Sequence, residues 1–221
     1  MSGGEARMNY KKLIIESGIK MLNSGMTVET WGNISARDPE TNKVYLTPSG
    51  MDYSTLEESD VVVCDLEGNI LEGERKPTIE KDLHLKIYQT RSDANAIIHT
   101  HPIFSTVFSC MGEDIPLITD EAAQALGDVC RRADYALPGT IELAENCVKA
   151  LGESSNSCLL QSHGAVCVGS DMKTAFKVAR VLEMTAEILY RIRACGGTPI
   201  PISKENIDYM IDFMKNKYGQ K

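Results

Sequence analysis

The stretch Ala96-Ile97-Ile98-His99-Thr100-His101-Pro102 determines how the rest of the chain is interpreted. Its apolar start predicts a β-strand, in which alternate side chains face the same side of the sheet. His99 and His101 therefore point the same way at the end of that strand, which Pro102 terminates. Two imidazoles in this arrangement can bind one divalent metal ion, although histidine pairs also occur on strands without a metal.

A third histidine, His163, lies in the turn Ser162-His163-Gly164 between two predicted strands. Three neutral imidazoles and one open coordination position are typical of a catalytic zinc, where the vacant position polarises a carbonyl group or a water molecule. The fourth histidine, His84, lies among apolar residues one helical turn after Glu80. We interpret His84 as a residue that packs a helix against the core.

Length, composition and charge limit the class of protein. The chain has 221 residues, of which 43% are hydrophobic. This predicts one globular domain over 8–221, after a small and polar start at 1–7 that we expect to be disordered. The net charge of -8 disfavours binding to nucleic acid or to an anionic membrane. No apolar run approaches the roughly 20 residues that span a bilayer. Seven scattered cysteines favour a reduced, cytoplasmic protein.

Hydrophobic periodicity predicts helices and short strands along the whole chain, except over 112–139, where no pattern dominates. The predicted helices cover about 8–23, 77–89, 103–111, 140–151, 172–194 and 205–216. The predicted strands lie near 30–35, 43–46, 61–65, 70–71, 96–101, 157–161 and 165–168. Short turns between the early strands favour antiparallel pairing. We therefore expect an α/β fold in which helices cover both faces of a sheet.

Glu80 lies in the segment Pro77-Thr78-Ile79-Glu80, which opens a predicted helix with Thr78 as its expected N-cap. A carboxylate in a first turn usually interacts favourably with the helix dipole. The functional alternative is that Glu80 faces the metal and transfers a proton, which requires a carboxylate that can become neutral near pH 7. The residues alone leave both interpretations open.

Small and hydroxyl-bearing residues occupy three further positions, Gly32-Asn33, Ser49-Gly50 and Thr78. Their backbone N–H groups and short polar side chains can bind a phosphate without a cluster of basic residues. Each position is also explained by a turn or a helix cap.

Five motifs taken together resemble the class II aldolase and adducin-head family, and most closely its L-fuculose-1-phosphate aldolase branch. They follow the order of the family, and the resemblance covers nearly the whole chain. The motifs are Gly32-Asn33-Ile34-Ser35, Leu46-Thr47-Pro48-Ser49-Gly50, Pro77-Thr78-Ile79-Glu80, Ile98-His99-Thr100-His101 and Ser162-His163-Gly164.

The resemblance implies a three-layer α/β/α sandwich around a mixed, mostly antiparallel sheet, assembled as a homotetramer with sites at subunit interfaces. It implies one Zn²⁺ per subunit bound by His99, His101 and His163. Glu80 is then the catalytic acid/base, which can also approach the metal. Tyr218 resembles a mobile tyrosine that closes on the site, although a tyrosine near a terminus is otherwise ordinary. The positions that bind the substrate phosphate correspond to Gly32, Asn33, Ser49, Gly50, Thr78 and Ile79.

The implied reaction is the zinc-dependent, reversible cleavage of a ketose 1-phosphate into dihydroxyacetone phosphate and a small aldehyde. Breaking the C3–C4 bond leaves an enediolate whose charge zinc can stabilise, while Glu80 moves the proton. Two alternatives stay open. An epimerase, dehydratase or decarboxylase would use the same zinc chemistry, and an adducin-like interaction module would retain the fold without catalysis.

Two positions depart from the aldolase pattern. Ile79 stands where the fuculose enzymes have a second hydroxyl residue, which leaves its backbone N–H as the donor and puts the phosphate itself in question. Thr119-Asp120 stands where the aldolases have a His-Tyr pair, whose tyrosine protonates the leaving oxygen across the subunit interface. We expect Asp120 or Glu121 to replace that tyrosine, or the aldehyde to differ from lactaldehyde. Two motifs, Trp31-Gly32-Asn33 and Ser162-His163-Gly164, are also similar to the L-ribulose-5-phosphate 4-epimerase branch, which has Asp at the position of Glu80.

Overall fold

The computed structural model describes residues 8–217 of the chain. Residues 1–7, for which the sequence predicts disorder, and Tyr218 lie outside this range. The central layer is a sheet with the strand order β4-β3-β2-β1-β5-β8-β7-β6. Its strands are β1 (Asn33–Arg37), β2 (Val44–Leu46), β3 (Val62–Cys64), β4 (Ile70–Glu72), β5 (Ala96–Thr100), β6 (Arg131–Ala133), β7 (Ser157–Leu160) and β8 (Gly164–Gly169). The β6–β7 pairing is parallel and the other pairings within 8–217 are antiparallel.

Helices cover both faces of this sheet. The helices are α1 (Tyr10–Asn23), α2 (Lys81–Thr90), α3 (Ile103–Met111), α4 (Asp120–Leu126), α5 (Ile141–Leu151), α6 (Met172–Ala194) and α7 (Lys204–Asn216). One hydrophobic core lies between the sheet and α1, α3, α4 and α6. A second core lies between the opposite face and helices α2 and α5. The prediction of a three-layer α/β/α sandwich with a mixed, mostly antiparallel sheet is therefore confirmed.

Strand β5 lies near the middle of the sheet and is buried along its whole length. Its side chains alternate between the two cores, with Ile98 in the core under α6 and Ile97 in the core under α2 and α5. His99 shares the face of Ile97 and therefore points toward the start of α2. Because of this alternation, His99 lies close to Glu80, the residue that precedes helix α2.

The N-cap of α2 lies two residues later than the sequence suggests, which corrects the expectation that Thr78 is its N-cap. The N-cap residue is Glu80, and its side chain makes no capping hydrogen bond. The backbone N–H of Thr78 donates to the carbonyl of Thr47 across 3.0 Å. Thr78 is thereby held in an extended segment beside the end of β2, and the chain must turn at residues 79–80 before the helix can start.

The segment 112–139, for which no pattern dominated, contains the seven-residue helix α4 and the three-residue strand β6. Both are too short to give a clear hydrophobic period.

Across residues 8–217, the helices all fall short of the length and apolar character that a membrane crossing requires. The seven cysteines carry free thiols, as expected for a reduced protein.

Candidate active site

Three histidines converge where the end of β5 meets the turn between β7 and β8. His99 is fully buried on β5, His101 follows the strand, and His163 lies in the turn. The Nε2 atom of His99 is 2.8 Å from Nε2 of His101 and 3.3 Å from Nε2 of His163. The ligand nitrogens of all three lie within 4.8 Å of one another. The antiparallel pairing of β5 with β8 produces this convergence, because it places the two strand ends side by side.

The protonation of these rings suits metal ligation. Nδ1–H of His99 donates to the carbonyl of Ala165 across 3.0 Å, which leaves the lone pair of Nε2 directed into the cluster. Burial lowers the pKa of His101 to about 3 and that of His163 to about 4. Both rings are therefore neutral at physiological pH. Nitrogen lone pairs directed at one another across these separations repel unless a proton or a metal cation lies between them.

Glu80 completes the donor set. Its carboxylate is 3% exposed, and Oε2 lies 3.3 Å from Nε2 of His99. Oε1 lies 3.7 Å from Nε2 of His163 and has no hydrogen-bond partner among the described residues. Three imidazoles and one carboxylate, whose Oε1 is buried and unpaired among the described residues, fit a divalent cation, and such a set of N and O donors is typical of zinc.

The charge of Glu80 follows from two opposed effects. Burial alone would raise its pKa, but the interaction with His99 and a hydrogen bond from Nδ2 of Asn33 outweigh burial, so the pKa lies below its usual value. The carboxylate is therefore ionised near neutral pH. In this state it can accept a proton from a substrate or approach a cation.

A cleft of about 540 Å³ opens beside the cluster. Glu80, His101 and His163 line it, together with the exposed Trp31, whose ring lies 6.4 Å from that of His101. All six predicted phosphate-binding residues also line this cleft, namely Gly32, Asn33, Ser49, Gly50, Thr78 and Ile79. The structure thus brings together in one concave surface the positions that the sequence placed in five separate motifs.

Two of the backbone N–H groups expected to bind the phosphate already donate hydrogen bonds within the protein. The backbone N–H of Ser49 donates to the carbonyl of Lys76, and that of Thr78 donates to the carbonyl of Thr47. The prediction that these backbone groups face a phosphate is corrected accordingly, and only the side-chain hydroxyls of the two residues can serve. The side chain of Ile79 is 64% exposed at the cleft and has no polar atom to offer.

Asp120 and Glu121 lie away from the residues that line this cleft. Both are exposed in the first turn of α4, which Thr119 caps by accepting a hydrogen bond from the N–H of Ala122. Among the described residues of this chain, neither carboxylate borders the cleft. A role for Asp120 at the site of a neighbouring subunit stays a prediction, as does the role of Tyr218 outside the described range.

A buried polar network that the sequence did not predict lies beneath Glu80. His84 is fully buried, and burial lowers its pKa to about 3, so the ring is neutral. Its Nε2 lies 2.5 Å from Oδ1 of Asn33, and its Nδ1 lies 2.6 Å from Oγ of Ser35. Ser35 in turn contacts the hydroxyl of Tyr88 across 2.8 Å. The four-residue spacing of Glu80 and His84, which places both on one side of a helical turn, was the available signal.

Three comparisons with known proteins agree with this geometry. A family model described as "Class II Aldolase and Adducin N-terminal domain" matches residues 12–190. A protein named 5-deoxy-D-ribulose 1-phosphate aldolase, from Bacillus thuringiensis serovar kurstaki, is 37% identical over 183 residues, which are 83% of this chain and 85% of that protein. An L-fuculose phosphate aldolase from Methanocaldococcus jannaschii is 39% identical over 80% of this chain and 94% of its own. A solved structure titled L-fuculose 1-phosphate aldolase superposes with a TM-score of 0.89 at 37% identity, covering 97% of this chain and 100% of that one.

Proposed function

We propose that this chain, which belongs to the class II aldolase and adducin N-terminal domain family, is a zinc-dependent lyase that reversibly cleaves a ketose 1-phosphate. The products are dihydroxyacetone phosphate and a small aldehyde. One observation carries the proposal: the carboxylate of Glu80 and the ring nitrogens of three histidines meet beside a cleft lined by small polar residues. We further propose that the enzyme is a cytoplasmic homotetramer with sites at its subunit interfaces.

His99, His101 and His163 would bind the zinc ion, and Glu80 would approach it when substrate is absent. The fixed tautomer of His99 and the neutral rings of the other two histidines support this assignment. When bound, zinc supplies a Lewis acid that stabilises negative charge on the substrate oxygens as the C3–C4 bond breaks.

Glu80 moves the proton in this proposal. In the direction of aldol addition its carboxylate removes a proton from C3 of dihydroxyacetone phosphate, and in cleavage it returns that proton to the same carbon. The lowered pKa keeps the carboxylate ready to accept a proton in aldol addition, and it differs from the expectation, drawn from the sequence, of a carboxyl group that becomes neutral near pH 7. The position of Oε1, buried and without a hydrogen-bond partner among the described residues, supports a role that needs an available oxygen.

The phosphate would bind to the small residues of the cleft. The hydroxyls of Ser49 and Thr78 and the second amide hydrogen of Asn33 are the side-chain donors. Gly32 and Gly50 let the ligand approach the backbone, and the backbone N–H of Ile79 is a further donor. Binding energy from the phosphate then orients the reacting carbon at a distance from the bond that breaks. The names of the relatives support a sugar-phosphate substrate.

A second group has to exchange a proton with the C4 oxygen: it takes the hydroxyl proton as the aldehyde forms in cleavage and returns it to the aldehyde oxygen in addition. We propose Asp120 of a neighbouring subunit for this role and Tyr218 as a residue that closes on the bound substrate. The exposure of Asp120 at the start of α4 supports a contribution to another subunit, since the carboxylate does not border the cleft of its own chain.

A substrate panel tests the proposed reaction. The zinc-loaded protein is incubated with L-fuculose 1-phosphate, 5-deoxyribulose 1-phosphate and other ketose 1-phosphates, and release of dihydroxyacetone phosphate is measured with a coupled dehydrogenase. We expect release from at least one of them. If the zinc-loaded protein released no dihydroxyacetone phosphate from any member of the panel, the result would contradict the proposed aldolase activity and favour an epimerase, dehydratase or decarboxylase. Purified protein without bound metal would instead favour an adducin-like interaction module.

A further inference from the structure

We infer that His84 is a positioning residue for Glu80. Its Nε2–H holds the side-chain amide of Asn33 in the orientation that donates a hydrogen bond to the Glu80 carboxylate. The inference rests on the proposed function of Glu80 as the group that moves the proton. His84 itself does not border the cleft, so it acts only through Asn33.

The contacts form one continuous path from a phenol to the carboxylate. Tyr88 Oη lies 2.8 Å from Ser35 Oγ, which lies 2.6 Å from His84 Nδ1. On the other side of the ring, Nε2 lies 2.5 Å from Asn33 Oδ1. The path ends where Nδ2 of Asn33 donates to Oε2 of Glu80 across 2.8 Å.

The direction of this path is determined by its end. Nδ2 of Asn33 lies 2.8 Å from Oε2 of Glu80 and donates to it, so the carbonyl oxygen of the same amide faces His84. That oxygen needs a donor, and Nε2 of His84 must therefore carry a hydrogen. In the neutral ring Nδ1 is then an acceptor, which receives the hydroxyl hydrogen of Ser35, while the Ser35 oxygen accepts from Tyr88. Every group in the path thus has a complementary partner.

Burial makes this arrangement hard to change. Asn33 is 5% exposed, and Ser35 and His84 are fully buried. A flipped Asn33 amide would place its oxygen against the Glu80 carboxylate, where water cannot compensate for the repulsion. The network also joins two elements, because His84 and Glu80 belong to the start of α2 whereas Asn33 and Ser35 belong to β1. The carboxylate is therefore fixed relative to the sheet that carries His99.

Simple packing is the rival explanation for His84, and two substitutions separate the explanations. In His84→Gln the amide nitrogen takes the place of Nε2 and can still donate to Asn33. In His84→Met the apolar volume is kept but the donor is lost. If His84 only fills space, Met is the better replacement; if it orients Asn33, Gln is the better one. Leu85→Met, at a buried neighbour on the same helix, is the matched control for a methionine in this core.

The kinetic test uses the zinc-loaded, full-length protein and exchange of the C3 proton of dihydroxyacetone phosphate with deuterated solvent. For His84→Met we expect the maximal exchange rate to fall by about 10- to 100-fold, as when residues that orient a site are removed. Zinc content should stay within about twofold of the parent, whereas KM should rise as well, because the same amide of Asn33 is a proposed phosphate donor. For His84→Gln and Leu85→Met the rate should stay within about threefold. The inference would be overturned if His84→Met exchanged the proton at the parent rate, or if His84→Gln exchanged it no faster than His84→Met.

A second measurement does not depend on turnover. In protein labelled with ¹⁵N at its four histidines, the signals that disappear in His84→Gln assign the ring, and long-range ¹H–¹⁵N spectra identify the protonated nitrogen. We expect a hydrogen on Nε2; a ring protonated only on Nδ1 would overturn the inference. If the parent shows Nε2–H but exchanges no proton from dihydroxyacetone phosphate, the proposed function fails while the assigned orientation of Asn33 is supported.

Discussion

The α-carbon of Gly32 packs against the backbone carbonyl oxygen of His99, so that a Cβ at position 32 would lie 2.7 Å from that oxygen. The neighbouring residue, Asn33, pairs directly with His99 in the sheet. The lack of a side chain at Gly32 therefore allows the turn before β1 to reach the metal-binding end of β5.

We predict that Gly32→Ala lowers the free energy of unfolding by about 2 to 4 kcal/mol, because it combines the backbone clash with a positive φ of 76°. Gly25→Ala is the matched control, since Gly25 has a φ of 70° but nothing within 4 Å of the added Cβ. That variant should lose only about 1 kcal/mol. Urea unfolding of both proteins measures the difference, and equal losses would contradict a clash at His99.

Substitution of a histidine in the cluster should remove the metal. His101→Ala and His163→Ala are each expected to lower the affinity for zinc by at least about 100-fold, because each removes one of three nitrogen ligands. Metal analysis after equilibrium dialysis measures the effect. His84→Gln is the control, because the nitrogens of His84 are bonded to Asn33 and Ser35. Its zinc content should equal that of the parent; loss of zinc from this variant alone would contradict the assigned ligands.

Restoring a hydroxyl at position 79 should strengthen phosphate binding. The side chain of Ile79 is 64% exposed at the cleft, so Ile79→Ser adds a donor at little cost in stability. A hydrogen bond to a charged group predicts a KM for the phosphorylated ketose that is about 3- to 10-fold lower. Ile103→Ser, at an exposed isoleucine that does not line the cleft, should leave KM unchanged. An unchanged or higher KM in Ile79→Ser would place the phosphate elsewhere.

The stability of the metal-free protein should fall on acidification because of His84. Its pKa is about 3 when folded, against 6.5 for an ordinary histidine. Between these values the unfolded chain binds a proton that the folded chain does not, so the stabilisation present above pH 6.5 is lost as the pH falls. From pH 7 to pH 5.5 the parent should lose about 1 kcal/mol more than His84→Gln, which has no titrating ring. Urea unfolding at both pH values tests this. Equal losses of unfolding free energy in the parent and in His84→Gln would be inconsistent with a neutral, buried His84.

The sequence predicted those parts of the site that depend on local patterns. The apolar run before His99 and the glycine after His163 indicated strand ends, and the structure brings both histidines together. The family resemblance, the fold class and the mostly antiparallel sheet were confirmed. The prediction that Thr78 caps α2 was wrong, because a hydrogen bond to Thr47, which is distant in the chain, holds Thr78 outside the helix.

The role of His84 could not be read from its own neighbourhood. Apolar neighbours on α2 favoured a packing residue, and the ring is indeed buried. Its polar partners, Asn33 and Ser35, are 51 and 49 residues away in the chain. Only the pairing of β1 with β5 brings them beneath Glu80. Contacts of this range depend on the completed sheet and leave no periodic signal in the sequence.

The most direct test of the central claim is the exchange of the C3 proton of dihydroxyacetone phosphate in deuterated water, followed by NMR. This half-reaction needs no knowledge of the aldehyde. The zinc-loaded parent should incorporate deuterium at C3, and zinc-loaded Glu80→Gln should do so at least about 100-fold more slowly, as expected when a general base is removed. Exchange by Glu80→Gln at the parent rate, with equal zinc content, would contradict the account.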